Sequence, residues 1–366
     1  MVNYTRYFFL FLVVFLHSIL IVALGYCNNA FSREYGSILL NNMHPVSVLA
    51  LISGYLYFAN YKMTTLGAFF KTGIYQKRLK RLIVPYLSWK ILIFGTFLLL
   101  FCIYNIAAHR GMQLGAIADY LRRFVKCVFC SDNERWTAEY LAFSPHLWYI
   151  HHLIIMFLIM PVLMHYKVFQ FTLPVLALIV YIIFPQMELI LHFRFVLFCL
   201  IGCVLGIYKD FARSLFYFLI NIYTIIGLLI FFIGLSLLAK YYFHIDPSTI
   251  GFGVTSEFTD IPNTAYSLVV PAMAFLIVQC ALHHLGIKHD MHYDKGKHYM
   301  LYILHFYLIL FMAQLIFKVP MAWSLRNRAF FVIPTTFAVA FLTVWFNSLL
   351  VLLLEKKAPK LQRYLV

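Results

Sequence analysis

The segment from residue 7 to residue 24 reads YFFLFLVVFLHSILIVAL, and it decides the class of fold because these 18 residues include no Asp, Glu, Lys or Arg. A helix of that length crosses most of the hydrocarbon core of a bilayer. Arg6 precedes the run and His17 follows eleven residues later, so both lie on one helix face, roughly 16 Å apart along the axis. We therefore expect one at the membrane surface and the other near the midplane.

His17 is a candidate functional residue because an ionisable side chain at that depth is costly unless it faces protein, water or a ligand. A neutral histidine that packs and hydrogen-bonds between helices explains the same position. The segment also resembles a signal peptide, since a basic residue precedes the apolar run and small residues follow it. The run is longer than a usual cleavable core, so we predict an uncleaved first span.

The composition is that of an integral membrane protein. Of the 366 residues, 63% are hydrophobic and 11% are charged, and the mean hydropathy is +0.85. These values exclude an ordinary soluble domain. The net charge of +16 is explained by loops that set topology and contact anionic lipids, so nucleic acid is not an expected partner. Seven scattered cysteines define no disulfide framework.

Apolar runs recur along the whole chain. We predict an all-α membrane protein, a bundle of about ten transmembrane helices that forms a single domain over residues 1–366, with no soluble domain. The predicted spans are approximately 7–25, 43–60, 82–105, 146–165, 171–186, 192–208, 214–239, 263–284, 298–317 and 329–354.

The distribution of basic residues predicts that both termini are cytoplasmic. With that orientation 17 of the 29 Lys and Arg lie inside, 11 lie outside, and Lys90 lies within a span. This bias agrees with the positive-inside rule. Residues 106–145 form the longest predicted outer loop.

Three arginines are expected at the cytoplasmic surface. Arg6 begins the first span, and Arg78 and Arg81 are one helical turn apart before the third. Most such clusters are ordinary positive-inside flanks on lipid headgroups. Guanidinium groups also bind phosphate in bidentate fashion, so three converging arginines are a candidate anchor for a phosphorylated cytosolic donor. His17 would then lie about one pantetheine arm above them.

Taken together, the motifs resemble those of the membrane-bound acyltransferase family 3. The resemblance runs from position 6 to about position 310. The matching motifs are Arg6 with His17, Ser53-Gly54-Tyr55, Arg78-x-x-Arg81 before Pro85, His146-Leu147-Trp148-Tyr149, Gly202-x-x-x-Gly206, and Tyr302-Ile303-Leu304-His305.

One departure from the family pattern suggests a branch. A Ser-Leu-x-x-Glu type sequence after the tryptophan is not matched, because Tyr149-Ile150-His151-His152 follows Trp148. The chain is therefore more similar to the branch that includes fucose acetylase-like and exopolysaccharide O-acyltransferases. That resemblance implies transfer of an acyl group, usually acetyl from acetyl-CoA, to a hydroxyl of a glycan or lipid-linked sugar of the cell envelope, at a bacterial inner or plasma membrane.

The resemblance also implies roles for named residues. His17 would be the general base, since burial disfavours the charged imidazole and the neutral ring can take a proton from a sugar hydroxyl. The remaining candidates fall into three groups: Ser53, Tyr302 and His305 for stabilising the oxyanion or orienting the base, Arg6, Arg78, Arg81 and Lys90 for the acyl-CoA, and His146 and Trp148 for the acceptor.

Several of these positions have simpler explanations. Ser53-Gly54 fits close helix packing, Trp148 fits an aromatic belt, and the Lys90 ammonium can snorkel to the surface. No metal is expected. The histidine-rich stretch 283–298 and the Cys127-x-x-Cys130 pair match no defined metal-site spacing.

A transporter or flippase for a lipid-linked glycan is the main alternative function, because buried histidines and cationic loops would serve it too. The sequence shows no matching half-repeats, which counts against that alternative. A non-enzymatic partner of a polysaccharide synthase would leave the alignment of Arg6 with His17 unexplained.

Overall fold

A computed structural model of the chain describes residues 2–27, 45–59, 70, 73–107, 114–129, 147–184, 193–219, some positions between 221 and 234, 261–286, 295–326 and 329–358. Within these residues the chain is helical and contains no β-strand. The helices are α1 (Val2–Ile19), which continues as a π-helix (Leu20–Cys27), α2 (Pro45–Ala59), α3 (Ile74–Ala107), α4 (Leu114–Phe129), α5 (Trp148–Leu163), α6 (Lys167–Ile183), α7 (Phe193–Ile207), α8 (Lys209–Leu219), α9 (Ile261–His284), α10 (Lys295–Phe317), α11 (Pro320–Leu325) and α12 (Ala329–Lys357).

The chain is a multi-pass membrane protein. Four stretches of the described helices are long and apolar enough to cross a membrane: Asn3–Val22, Tyr75–Ala107, Tyr299–Phe317 and Phe331–Lys357. Shorter apolar helices accompany them: Pro45–Ala59, Trp148–Leu163, Lys167–Ile183 and Leu268–His284. The count of ten spans and the cytoplasmic termini stay predictions.

Two regions differ from the predicted spans and loops. The bend between α7 and α8 is 109°, so these two helices form either a broken span or a re-entrant loop, where the sequence suggested two separate spans. The predicted outer loop 106–145 contains α4, an amphipathic helix. Phe124 of α4 stacks on Phe94 of α3, with ring centroids 4.2 Å apart, so burial of its aromatic face holds α4 against α3.

By its contacts the chain divides into two compact units. The first comprises residues 1–64 and 162–350, and the second comprises residues 65–161 and 351–366. The first unit contains α1, α2 and the helices from α6 to most of α12. The second contains α3, α4 and nearly all of α5.

Glycines let α2 and α7 pack backbone to backbone in the first unit. A Cβ at Gly54 would meet the carbonyl oxygen of Cys199, and a Cβ at Gly202 would meet that of Leu51. A Cβ at Gly206 would lie 2.5 Å from the carbonyl oxygen of Tyr55. Close helix packing in lipid depends on such small residues because apolar side chains gain little by leaving the lipid tails. Gly54 and Gly202 therefore serve packing, as the simpler explanation of Ser53-Gly54 suggested.

The order of these contacts also gives the helix directions. Later residues of α2 contact later residues of α7, so these two helices run parallel. The helices α1 and α10 also run parallel, because His17 faces His305 and Tyr26, in the π-helix that continues α1, stacks on Phe317. Because successive spans alternate in direction, two parallel spans must have an odd number of membrane crossings between them along the chain. The predicted topology agrees with these directions. In it α2 and α7 are the second and sixth spans, and α1 and α10 are the first and ninth.

Candidate active site

His17 lies on the buried side of α1 in the first unit. Its Nδ1 lies 2.9 Å from the carbonyl oxygen of Val13, one turn earlier in the helix. Phe306 of α10 presents its ring to His17 edge to face, with centroids 5.8 Å apart. Three residues after His17 the backbone widens into the π-helix, a distortion that occurs frequently at functional sites.

His305 of α10 faces His17. The two ring centroids are 4.8 Å apart and the rings are inclined by 66°. His305 is 1% exposed, so its imidazole is enclosed by protein within the apolar span Tyr299–Phe317. Because the two rings are in contact, His17 of α1 and His305 of α10 lie at the same level of the helix bundle. The structure thus brings together two histidines that the sequence places 288 positions apart.

The backbone sets the tautomer of both rings. His305 Nδ1 lies 2.6 Å from the carbonyl oxygen of Tyr302, and His17 Nδ1 lies 2.9 Å from that of Val13. A carbonyl oxygen only accepts, so each Nδ1 must carry the proton and donate it. In the neutral rings Nε2 is then the basic nitrogen of both histidines. In both α1 and α10, a backbone carbonyl of the same helix therefore fixes Nε2 as the basic nitrogen of the histidine.

Tyr302 and Ser53 lie on helices that adjoin α1. Tyr302 is 7% exposed and its ring centroid is 5.7 Å from that of His305. Ser53 is 8% exposed and lies on α2, which packs against α1. Both hydroxyls belong to the same unit as the histidine pair.

Arg6 lies one residue after a point where α1 is tied to α9. The side-chain amide of Gln279 donates a hydrogen bond to Thr5 Oγ1, and both residues are buried. Arg6 itself is half-buried in the first turns of α1. An isolated glutamine in an apolar span is the signal by which the sequence could have pointed to this tie.

Of the other predicted site residues, those that the structure describes belong to the second unit. Arg78 is half-buried and Arg81 is exposed on α3, and Lys90 of the same helix is 5% exposed. Trp148 begins α5 and its ring lies edge to face with that of His152, with centroids 5.6 Å apart. His146 lies outside the described residues. The convergence of Arg6 with Arg78 and Arg81 stays a prediction, because the arginines belong to different units.

The sequence profile of the Acyl_transf_3 family, described as an acyltransferase domain, matches residues 2–345. The chain belongs to this family. Comparison with curated proteins and with solved structures gave no match.

Membership of acyltransferase family 3 covers both units, since the matched segment includes every proposed site residue from Arg6 to His305. It supports a membrane-bound acyltransferase, as the motifs predicted. The ring contacts of Phe306 with His17 and of Phe15 with Phe337 were not predicted, because an apolar aromatic in an apolar span carries no distinguishing signal.

Proposed function

We propose that this acyltransferase is a membrane O-acyltransferase that moves an acyl group, most simply acetyl, from cytosolic acyl-CoA to a hydroxyl of a cell-surface glycan or lipid-linked sugar. The proposal places it in the fucose acetylase-like and exopolysaccharide branch. The observation that carries it is the contact of His17 with His305 inside an apolar bundle, because a positioned imidazole can act as the general base that removes the proton of the acceptor hydroxyl.

His17 is the proposed general base. Its Nδ1–H is held by the Val13 carbonyl, so Nε2 can accept the proton of the acceptor hydroxyl. The oxygen then forms a C–O bond with the thioester carbonyl carbon. When the tetrahedral intermediate collapses, the C–S bond breaks and the leaving CoA thiolate takes the proton from the imidazolium. The reaction is complete without any other co-reactant.

His305, Tyr302 and Ser53 are the proposed supporting groups. The His305 ring is packed against the His17 ring, which holds the base in one orientation. The hydroxyls of Tyr302 and Ser53 are the nearby donors proposed for the oxyanion, since preorganised donors in a water-poor site stabilise developing charge strongly. Acyl-CoA is a co-substrate in this scheme, with Arg6, Arg78, Arg81 and Lys90 proposed for its phosphates and His146 and Trp148 for the acceptor.

Labelled acetyl-CoA supplied to inverted membrane vesicles tests the function directly. We expect label to appear in glycan in vesicles that contain the wild-type protein and not in vesicles without it. Movement of glycan across the bilayer with no label in it would contradict the acyltransferase and support the transporter alternative.

Replacing Arg6 with alanine is expected to raise the KM for acyl-CoA about tenfold or more, because one charge-assisted hydrogen bond to phosphate contributes roughly 1.5–3 kcal/mol. The value of kcat should change much less, since Arg6 lies three turns from the proposed base. Initial rates at varied acyl-CoA give both constants.

Arg213→Ala is the matched control, because Arg213 is an exposed arginine of the same unit. Its KM should equal that of the wild type. An Arg6→Ala enzyme with an unchanged KM would contradict the phosphate anchor and leave the proposed base untouched.

A further inference from the structure

The amphipathic helix α4 of the second unit runs back along the apolar part of α3. The contacts that set the register of the two helices are Phe101 with Tyr120, Phe94 with Phe124, and Tyr86 with Val128. Later residues of α4 meet earlier residues of α3, so the two helices run antiparallel. The helix α4 is therefore packed lengthwise against α3 and does not cross it.

These contacts place α4 at the depth of the bilayer core. Arg81 is the last of the basic residues at the start of α3, and Lys90 is the only charged residue between Arg81 and the end of that helix. Phe94 lies 13 residues after Arg81, or about 20 Å along the helix, and the hydrocarbon core is about 30 Å thick. Ile91, in the same part of α3, is 61% exposed, as lipid-facing side chains are. The stretch of α3 that α4 covers therefore lies within the core.

One side of α4 carries charges at this depth. By helical periodicity these residues lie on the side away from Phe124, and we name them the charged face of α4: Asp119, Arg122, Arg123 and Lys126. Arg122 and Arg123 lie 3.0 Å and 2.8 Å from the carboxylate oxygens of Asp119, and their side chains are 84% and 47% exposed. With three basic residues and one acidic residue, the face has a net charge of +2.

The surroundings of this face must be polar. A charged side chain that faces lipid is costly, and polar groups at membrane depth are tolerated where they contact protein or line a water-filled cavity. The exposed fractions show that the described part of the chain leaves both arginines largely uncovered. A separate side of α4 suits lipid, because Leu121 and Val125 are 46% and 55% exposed.

We infer that the charged face of α4 lines an aqueous inlet that enters the membrane alongside α3 and favours anionic solutes, those that carry a phosphate or a carboxylate. A net positive charge beside a low-dielectric wall raises the local concentration of anions. Guanidinium groups also bind such oxygens well, and Arg122 and Arg123 already hold one carboxylate, that of Asp119. The inlet is separate from the histidine pair, and its existence does not depend on acyl transfer.

The test compares two exposed positions at similar depth, one on the charged face and one facing lipid. The contacts of α4 with Phe94 and Tyr86 lie on either side of both positions, Lys126 and Ile91. Lys126→Cys and Ile91→Cys, each in the full-length protein in membrane vesicles, are treated from both sides with a membrane-impermeant methanethiosulfonate. We expect Lys126→Cys to react at least about tenfold faster, because a thiol reacts as its thiolate, which forms in water and not in lipid. Mass spectrometry of the labelled peptide separates each site from the native cysteines.

A second measurement tests the preference for anions. In Lys126→Cys the rest of the charged face has a net charge of +1, and adding Arg122→Gln and Arg123→Gln changes it to −1. The ratio of the reaction rates with a negatively charged and a positively charged reagent should then fall about fivefold or more. Lys77→Gln with Lys80→Gln is the matched control, since it removes two exposed charges at the start of α3, and it should leave the ratio unchanged.

Thermal unfolding of each variant shows that it is folded, and Arg122→Cys gives the same comparison with Ile91→Cys if Lys126→Cys does not accumulate. The inference is overturned if the folded charged-face variant reacts no faster than Ile91→Cys, which would mean that no water reaches this face. It is also overturned if the rate ratio stays the same after both arginines are replaced, because the inlet would then not select anions.

Discussion

Alanine in place of His17 is expected to lower the rate of acyl transfer by at least about a hundredfold, the usual contribution of a positioned general base. The imidazole that faces His305 at 4.8 Å is lost, and with it the nitrogen proposed to accept the proton of the acceptor hydroxyl. Transfer of labelled acetyl to glycan in vesicles measures the effect. The loss should appear in kcat at saturating acyl-CoA, because the variant keeps the arginines proposed for donor binding.

Two further variants separate a base from a packing residue. Asparagine at position 17 can still donate to the Val13 carbonyl but has no basic nitrogen, so His17→Asn should be as impaired as the alanine variant. Ser18→Ala removes a neighbouring hydrogen bond to the Val14 carbonyl and should transfer at nearly the wild-type rate. Full activity of His17→Asn would refute the base and leave His17 a packing residue.

Gly202→Ala is expected to lower the melting temperature of the purified protein by at least about 5 °C, or to prevent its accumulation as folded protein. The added Cβ would meet the Leu51 carbonyl oxygen and crowd the backbone nitrogen of Tyr55, 3.0 Å away. Neither atom can rotate out of the way, because both belong to the backbone of α2. The two helices would have to separate, and their close contact would be lost.

Gly95→Ala is the control for this effect. Gly95 also lies inside an apolar helix, α3, and nothing stands within 4 Å of an added Cβ there. Alanine also has the higher helix propensity, so Gly95→Ala should melt at or above the wild-type temperature. Thermal unfolding in detergent, followed by size-exclusion chromatography, compares the two variants. Equal melting temperatures for Gly202→Ala and the wild type would show that α2 and α7 are less tightly packed than described.

Much of the architecture follows from local patterns. Apolar runs without charge predict helices, and the helices at Val2–Ile19, Phe193–Ile207 and Lys295–Phe317 lie close to three of the predicted spans. Breaks within apolar or amphipathic stretches were harder to predict. The bend of 109° after α7 and the packing of α4 onto α3 are features of the tertiary structure. A hydropathy profile cannot predict them, because it describes each segment by itself.

The candidate site divides in the same way. His17, Tyr302 and His305 could be named from the sequence because ionisable or polar groups inside apolar spans stand out against their neighbours. The contact between the two imidazoles could not be predicted from the sequence, because residue spacing along one helix does not show which face of another helix packs against it. For the same reason the hydrogen bond between Gln279 and Thr5 could not be predicted.

The first span shows both contributions. Its sequence alone determined that a helix of lipid-spanning length carries Arg6 and His17 on one face, because helical periodicity and hydrophobicity are properties of the chain itself. Only the tertiary structure decided that α10 runs parallel to α1 and places His305 against His17, with each ring anchored to its own backbone. That arrangement depends on how the side chains of separate helices pack against one another, and the sequence of one segment does not specify which residues of another segment it will meet.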